Sequence, residues 1–228
     1  EGRTWPTQLD YTNERGVQLS LLEGAALPTR GHPFFEPIGP DGRACVTCHQ
    51  PADGMSLSAQ TARERWEATG GRDPLFAAFD GSNCPHLPQQ DPASHSLLLE
   101  RGLIRIALPW PPVGDDGKPI DPEFTLEVVR DPTGCNTHPE YGINSSKPGV
   151  SVYRRPRPVA NTKYTTHENF GVLPFIGKNG LPASRDPDTG RASAMNIMAD
   201  ARAPSLRAQA RDAAATHLQL GRALTKKE

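Results

Sequence analysis

Gly39-Pro40-Asp41-Gly42-Arg43-Ala44-Cys45-Val46-Thr47-Cys48-His49 is the stretch on which the reading of this chain turns. Cys-x-x-Cys-His is the attachment sequence of a c-type haem. Two thiols three positions apart reach the two vinyl groups of one porphyrin, and the adjoining imidazole meets the iron from below. Other readings of a Cys-x-x-Cys fit poorly. A thioredoxin-like redox pair opens a helix after a buried strand, whereas Gly39-Pro40-Asp41-Gly42 is turn chemistry. A zinc ribbon needs a second Cys-x-x-Cys, and the remaining cysteines, Cys84 and Cys135, are far apart. The sequence predicts one covalent haem c on Cys45 and Cys48, with His49 as the proximal iron ligand. Haem c is attached outside the cytoplasm, so the expected compartment is the periplasm or beyond, in a mature chain whose export signal has been removed.

The composition suits a chain wrapped around a cofactor. Of 228 residues, 21 are Gly and 24 Pro, about a fifth of the chain against a usual eighth or so. Only 36% are hydrophobic and the mean hydropathy is -0.57, so a tight helical bundle with a large aliphatic core is not expected. A haem would supply buried apolar mass that the side chains do not. Lys and Arg number 25 and Asp and Glu 26, for a net charge of -1. That balance lacks the electrostatic footprint of a nucleic-acid or anionic-membrane binder. The best apolar run, Leu103 to Val113, is interrupted by Arg105 and prolines and falls short of a membrane span.

In an oxidising compartment Cys84 and Cys135 are expected to pair as a disulfide. The competing reading is a metal site, because Cys84-Pro85-His86 and Cys135-Asn136-Thr137-His138 together offer two thiols and two imidazoles.

Residues 1 to 44 read as mostly irregular. Ser58 to Thr69 reads as a helix stopped by Gly70-Gly71, and a short helix is expected at about 95 to 101. Leu103 to Leu108 alternates like a strand, and Phe124 to Val129 alternates again as its expected antiparallel partner. Asp186 to Gly190 lacks the ligand set of a calcium loop and reads as a turn. Leu206, Ala210, Ala213, His217, Leu220 and Leu224 share one face of a predicted C-terminal helix started by Ser205 or Pro204. His217 on that face is either a satisfied core residue or one aimed at the haem.

Phe34-Phe35-Glu36 and the run from Asp41 to Gly54 resemble the N-terminal haem segment of the di-haem cytochrome c peroxidase and MauG-like family. Arg154-Arg155-Pro156-Arg157-Pro158-Val159-Ala160-Asn161 resembles that family's Arg-x-x-Pro-x-x-x-Asn stretch. Met198-Ala199-Asp200-Ala201-Arg202, followed by Leu206 and Gln209-Ala210, resembles its Trp-Asp-Gly-Arg and Leu-x-x-Gln-Ala block. The resemblance implies a mainly α, cytochrome c-like haem domain with long loops, here with a small β-hairpin insertion. Residues 1–228 would form a single domain, with 33–55 and 151–222 as the family-like core and 56–150 as the insertion. The family carries two haems in two domains, one reacting with peroxide and the other relaying electrons. This chain holds one Cys-x-x-Cys-His, so the second haem domain is absent, and the chain is expected to be an N-terminal half or a processed form.

Other departures bear on chemistry. Ala199 stands where the family has the Trp between its haems, and Gln219 stands where it has its distal glutamate, while Gln209 is retained. A neutral amide cannot take a peroxide proton near neutral pH, which leaves His217, Gln209 and Gln219 as the distal-pocket candidates. His217, Met198 or Met195 is the candidate sixth iron ligand, with His95 and His167 behind them. An open sixth position allows peroxide or oxygen chemistry, and a closed one suits electron transfer. Arg154, Arg155 and Arg157 are candidates to neutralise the haem propionates. Asn161 resembles the family's calcium-contacting position. The expected function is electron transfer through one covalent haem, to a partner protein carrying another cytochrome or a second haem domain. The alternative is a peroxidase or MauG-like oxidase whose second haem lies on a missing segment or a partner chain. A third reading is an oxygenase of the rubber-oxygenase type.

Overall fold

The computed structural model describes residues 4–14, 16–114, 117–162, 197–198, 203 and 205–221. In chain order the elements are β1 (Thr4–Trp5), β2 (Gln8–Asn13), β3 (Gly16–Leu21), β4 (Leu27–Pro28), α1 (Cys45–Cys48), α2 (Ala59–Thr69), α3 (Ser96–Arg101), β5 (Ile104–Pro109), β6 (Gly149–Arg154) and α4 (Leu206–His217). The chain divides into two compact units, residues 1–55 with 157–228 and residues 56–156.

The expectation of a mainly α, cytochrome c-like domain is overturned. Among the described residues, short helices share the chain with three two-stranded antiparallel sheets, β1 with β4, β2 with β3 and β5 with β6. The frequent Gly and Pro keep helices short, and several stretches between them alternate at the period of a strand.

In the first unit, four short strands interrupt the segment expected to be mostly irregular, at Thr4–Trp5, Gln8–Asn13, Gly16–Leu21 and Leu27–Pro28. β2 and β3 form a hairpin in which Leu9, Tyr11 and Asn13 are half-buried and their neighbours exposed. Val17, Leu19 and Leu21 of β3 face solvent, with 67%, 46% and 69% of their surface exposed. β1 pairs Trp5 with Leu27 of β4. Trp5 then meets the ring of Phe35 edge-on at 5.2 Å, and Phe34 and Phe35 pack edge-on at 5.1 Å. Aromatic pairs of this geometry favour contact beyond their burial. At the other end of the unit, α4 is capped by Ser205, whose hydroxyl accepts the Ala208 N–H at 3.1 Å. The helix ends at His217, earlier than its apolar spacing predicts. Leu218 and Leu220 lie beyond its end and are buried, and Leu224 lies outside the described residues.

In the second unit, α2 forms where its caps predict. Ser58 accepts the Thr61 N–H at 3.0 Å, and Gly70 ends the helix in the left-handed conformation at φ 60°, returning its N–H to Trp66. α3 follows, and its Leu98 is buried with Leu57, Ala62, Leu75, Phe76, Ile104 and Ile106.

The strand at 104–109 forms as expected, but its partner is β6, with Ala107 opposite Ser151 and Arg105 opposite Tyr153. Residues 124–129 form no strand. The reason lies in Arg105, which is 6% exposed and needs acceptors. Its Nε donates to Ser151 Oγ at 2.8 Å and its Nη1 to the Phe79 carbonyl at 2.8 Å. Asn136 stitches the outer side of β6, donating to the Ser151 carbonyl at 3.1 Å and accepting its N–H at 2.7 Å.

Cys84 and Cys135 form a disulfide across 51 residues, both fully buried. Their sulfurs are therefore not free for the metal site that the sequence left open. The loop entering Cys135 is organised by Asp131. Its Oδ1 accepts the Thr133 hydroxyl at 2.9 Å, and its Oδ2 accepts the Thr137 N–H at 2.8 Å and hydroxyl at 3.0 Å. Burial pushes the Asp131 carboxyl up, but these hydrogen bonds outweigh it and hold the group below its ordinary value. A carboxylate depressed in the folded state stabilises above its unfolded pKa and loses that contribution as pH falls through the folded value. Urea titrations below about pH 4 should thus show a steeper loss of stability in the native chain than in Asp131→Asn. Parallel curves for the two proteins refute the assignment.

Among the described residues, no helix is long and apolar enough to cross a membrane.

Candidate functional site

The first unit builds its site on α1. A four-residue helix places Cys45 and Cys48 at i and i+3, on one face, and neither is in a disulfide. Three local bonds set the turn. The Ala44 N–H donates to Thr47 Oγ1 at 3.0 Å, the His49 N–H to the Cys45 carbonyl at 2.9 Å, and the Gln50 amide to the Val46 carbonyl. The aromatic segment anchors it from outside, with the Val46 N–H donating to the Phe34 carbonyl at 2.9 Å.

His49 follows directly, and its Nδ1 lies 3.0 Å from the Met55 carbonyl. A carbonyl only accepts, so Nδ1 carries the proton of this bond and Nε2 is the lone-pair nitrogen of the neutral ring. Met55 presents that carbonyl from a left-handed residue at φ 61°, and the same oxygen accepts the Val159 N–H at 3.2 Å. Burial pushes the His49 imidazole below its ordinary value, the backbone groups of Met55 and Arg157 pull it up, and His217 pushes it down. Burial likewise raises the Cys45 thiol, which keeps it protonated in this fold.

The end of α4 meets this turn. Ala214, Leu218 and Leu220 form a buried cluster against which Ile38 and Cys45 pack. Gly39 passes so close that a Cβ built there would stand 1.8 Å from the Leu218 carbonyl oxygen. Gly39→Ala should lower stability by about 1–3 kcal/mol through forced separation of the two segments. A urea midpoint equal to that of the native chain shows instead that the Leu218 backbone yields.

The predicted residues fare unequally. His217 is the last helical residue of α4, half-buried and close enough to His49 to affect its charge. Gln219 is exposed at φ 51°, and its amide turns back to the Thr216 carbonyl at 2.6 Å. Gln209 is half-buried two turns before His217. Arg154 is half-buried at the end of β6 and belongs to the second unit, as does Arg155, whose Nη2 donates to the Arg101 carbonyl at 2.6 Å. Arg157 belongs to the first unit and donates to the Met198 carbonyl at 3.4 Å. Met198 is half-buried, whereas Met195 and His167 lie outside the described residues. His95 is fully buried in the second unit, with Nδ1 2.8 Å from the Gly81 carbonyl and Nε2 3.1 Å from that of Gln89. Asn161 is exposed at φ 60°, a left-handed conformation that Asn tolerates. Among the described residues, no three His, Cys, Asp or Glu side chains gather into a group that could hold a metal ion.

Sequence reasoning missed Arg43 and the Met55 carbonyl. Arg43 is 1% exposed, and its Nη1 donates to the His217 carbonyl at 3.1 Å. Its place inside the quoted stretch was visible, but a partner 174 positions away was not.

The donor set fits a c-type haem: two thiols outside any disulfide on one helical face, an imidazole whose Nδ1 is held by a carbonyl, and apolar side chains beside Cys45. Comparison with known proteins adds nothing to this reading, since no family model, no curated protein and no solved structure matches the chain.

Proposed function

We propose that the chain is an exported electron-transfer protein carrying one haem c on Cys45 and Cys48, with His49 as its proximal ligand. The observation that carries the proposal is the pairing of two thiols, neither in a disulfide, on one face of α1 with an adjoining imidazole whose Nδ1 faces the Met55 carbonyl. That bond fixes the tautomer, orients the ring and raises the basicity of the ligating nitrogen. Once bound, the haem supplies a one-electron iron couple whose potential follows its axial ligands and burial. His49 would ligate the iron, and Cys45 and Cys48 would keep the cofactor from dissociating.

Electron transfer is favoured over peroxide chemistry by the far side of the site. A peroxidase needs a base within hydrogen-bond reach of the peroxide proton. Gln219 is exposed and bonded to Thr216, so it supplies none, while His217 stands near His49 as an imidazole suited to close the sixth position. The partner is accordingly a redox protein that exchanges one electron at a time, and the compartment is one in which haem c is attached, the periplasm or beyond.

The ferric spectrum tests the proposal. Purified protein made in a host that attaches haem c should gain the mass of one haem, show a low-spin ferric iron and resist cyanide. A high-spin iron that binds cyanide readily sinks electron transfer and revives the peroxidase reading, and a chain that takes up no haem sinks both.

A further inference from the structure

We propose that Arg43, beside Asp41, is the positioning residue that fixes His217 as the second axial ligand of the haem, an inference that rests on the function proposed above. Arg43 immediately precedes the haem-attachment turn in sequence, separated from Cys45 by Ala44 alone. A guanidinium buried to 1% exposure has to spend its donors on protein acceptors, and one of them goes to the His217 carbonyl at 3.1 Å. Asp41 lies beside the arginine: its Oδ1 accepts the Arg43 backbone N–H at 3.1 Å, and its Oδ2, buried without a hydrogen bond, carries its charge 3.9 Å from Nε.

The end of α4 needs such a device. The last carbonyls of a helix have no partner within it, and a glycine in the left-handed position commonly supplies the closing turn. Here Gln219, at φ 51°, takes the left-handed position in place of a glycine, and specific donors serve the last carbonyls. Leu218 N–H reaches the Ala213 carbonyl at 3.4 Å, Leu220 N–H the Ala214 carbonyl at 3.0 Å and the Gln219 amide the Thr216 carbonyl at 2.6 Å. The His217 carbonyl is taken by Arg43, whose cation also complements the negative end of the helix dipole. The bond therefore ties the backbone of the proposed ligand to the segment that carries the thiols. Gly39 under Leu218 and Cys45 against Ala214 and Leu218 close the same contact from two further points.

The spin state of the holoprotein, read by visible absorption and electron paramagnetic resonance beside intact mass, tests this. Native protein should be low-spin and His217→Ala high-spin. Arg43→Met should retain covalent haem yet become substantially high-spin and bind cyanide about tenfold more tightly, the effect of removing one charge-assisted hydrogen bond from a ligand equilibrium. Arg43→Lys, which keeps a cation and a donor, should fall between the two and decides the matter where Arg43→Met fails to accumulate. An Arg43→Met or Arg43→Lys holoprotein with the native spectrum overturns the positioning role while leaving the haem reading intact. A His217→Ala protein that stays low-spin overturns His217 as the ligand, and a native chain without haem overturns this inference and the function together.

Discussion

Cys45→Ala with Cys48→Ala is expected to abolish haem attachment and to unfold the first unit while the second still melts cooperatively. The two units differ in what holds them. In the first, the buried cluster around the site comprises Ala214, Leu218 and Leu220, with Ile38 and Cys45 partly buried against it. A fully buried leucine contributes roughly 1.5–3 kcal/mol, against the ~1–2 kcal/mol per residue that ordering the backbone costs. A bonded haem changes that balance, because it brings apolar mass without conformational entropy of its own. The second unit has Leu57, Ala62, Leu75, Phe76, Leu98, Ile104 and Ile106 buried together with a disulfide. Amide hydrogen exchange separates the two outcomes. In the haem-free chain the amides of α4 should lose protection, whereas those of β5, β6 and α3 should keep it. An α4 that remains protected without haem refutes the view that the cofactor organises the first unit.

The elements that could be read from the sequence are those whose signals are local. Ser58 and Gly70 bracket α2 within a dozen residues, and Ser205 starts α4 by a bond to a residue three positions on. The placing of Cys45 and Cys48 at i and i+3 with His49 adjoining is likewise set by spacing alone, and the haem proposed for them rests on that spacing. The β5 pairing was not. Phe124 to Val129 and Gly149 to Arg154 both alternate, and what distinguishes the second is the set of long-range bonds that Arg105 and Asn136 make to Ser151, which no local pattern displays. β3 was hidden for the opposite reason, since Val17, Leu19 and Leu21 alternate but face solvent instead of a core. In the site, Gln219 shows the limit of carrying a role by position. Its backbone turns into the left-handed region just past the helix, and its side chain spends itself on Thr216. Arg43 shows the converse, a residue without a motif whose role comes from a contact made by the fold.

Reduction of the Cys84–Cys135 bridge, or its replacement by Cys84→Ala with Cys135→Ala, is expected to cost the second unit about 4 kcal/mol. Closing a loop of 51 residues restricts the unfolded chain by about that amount in the chain-entropy picture, and on a unit of this size the loss corresponds to a fall of the order of 20 °C in Tm. The fold offers a partial substitute, which makes the number a test of mechanism. Tyr153 spans the same two segments, its hydroxyl donating to the Asn83 carbonyl at 2.6 Å with Thr133 Oγ1 at 2.9 Å. Were that bridge sufficient, cutting the disulfide would release the unfolded chain without loosening the native one, and His86 and His138, stacked at 4.0 Å just beyond the two cysteines, would stay together. If the disulfide also holds the native loops, the rings should separate and their NMR signals move toward those of free imidazoles. Calorimetry with and without reductant gives the first quantity and histidine spectra the second. A Tm that barely moves would refute the chain-entropy account, since the hydrogen bonds of Tyr153 form in the folded chain and place no restraint on the unfolded one.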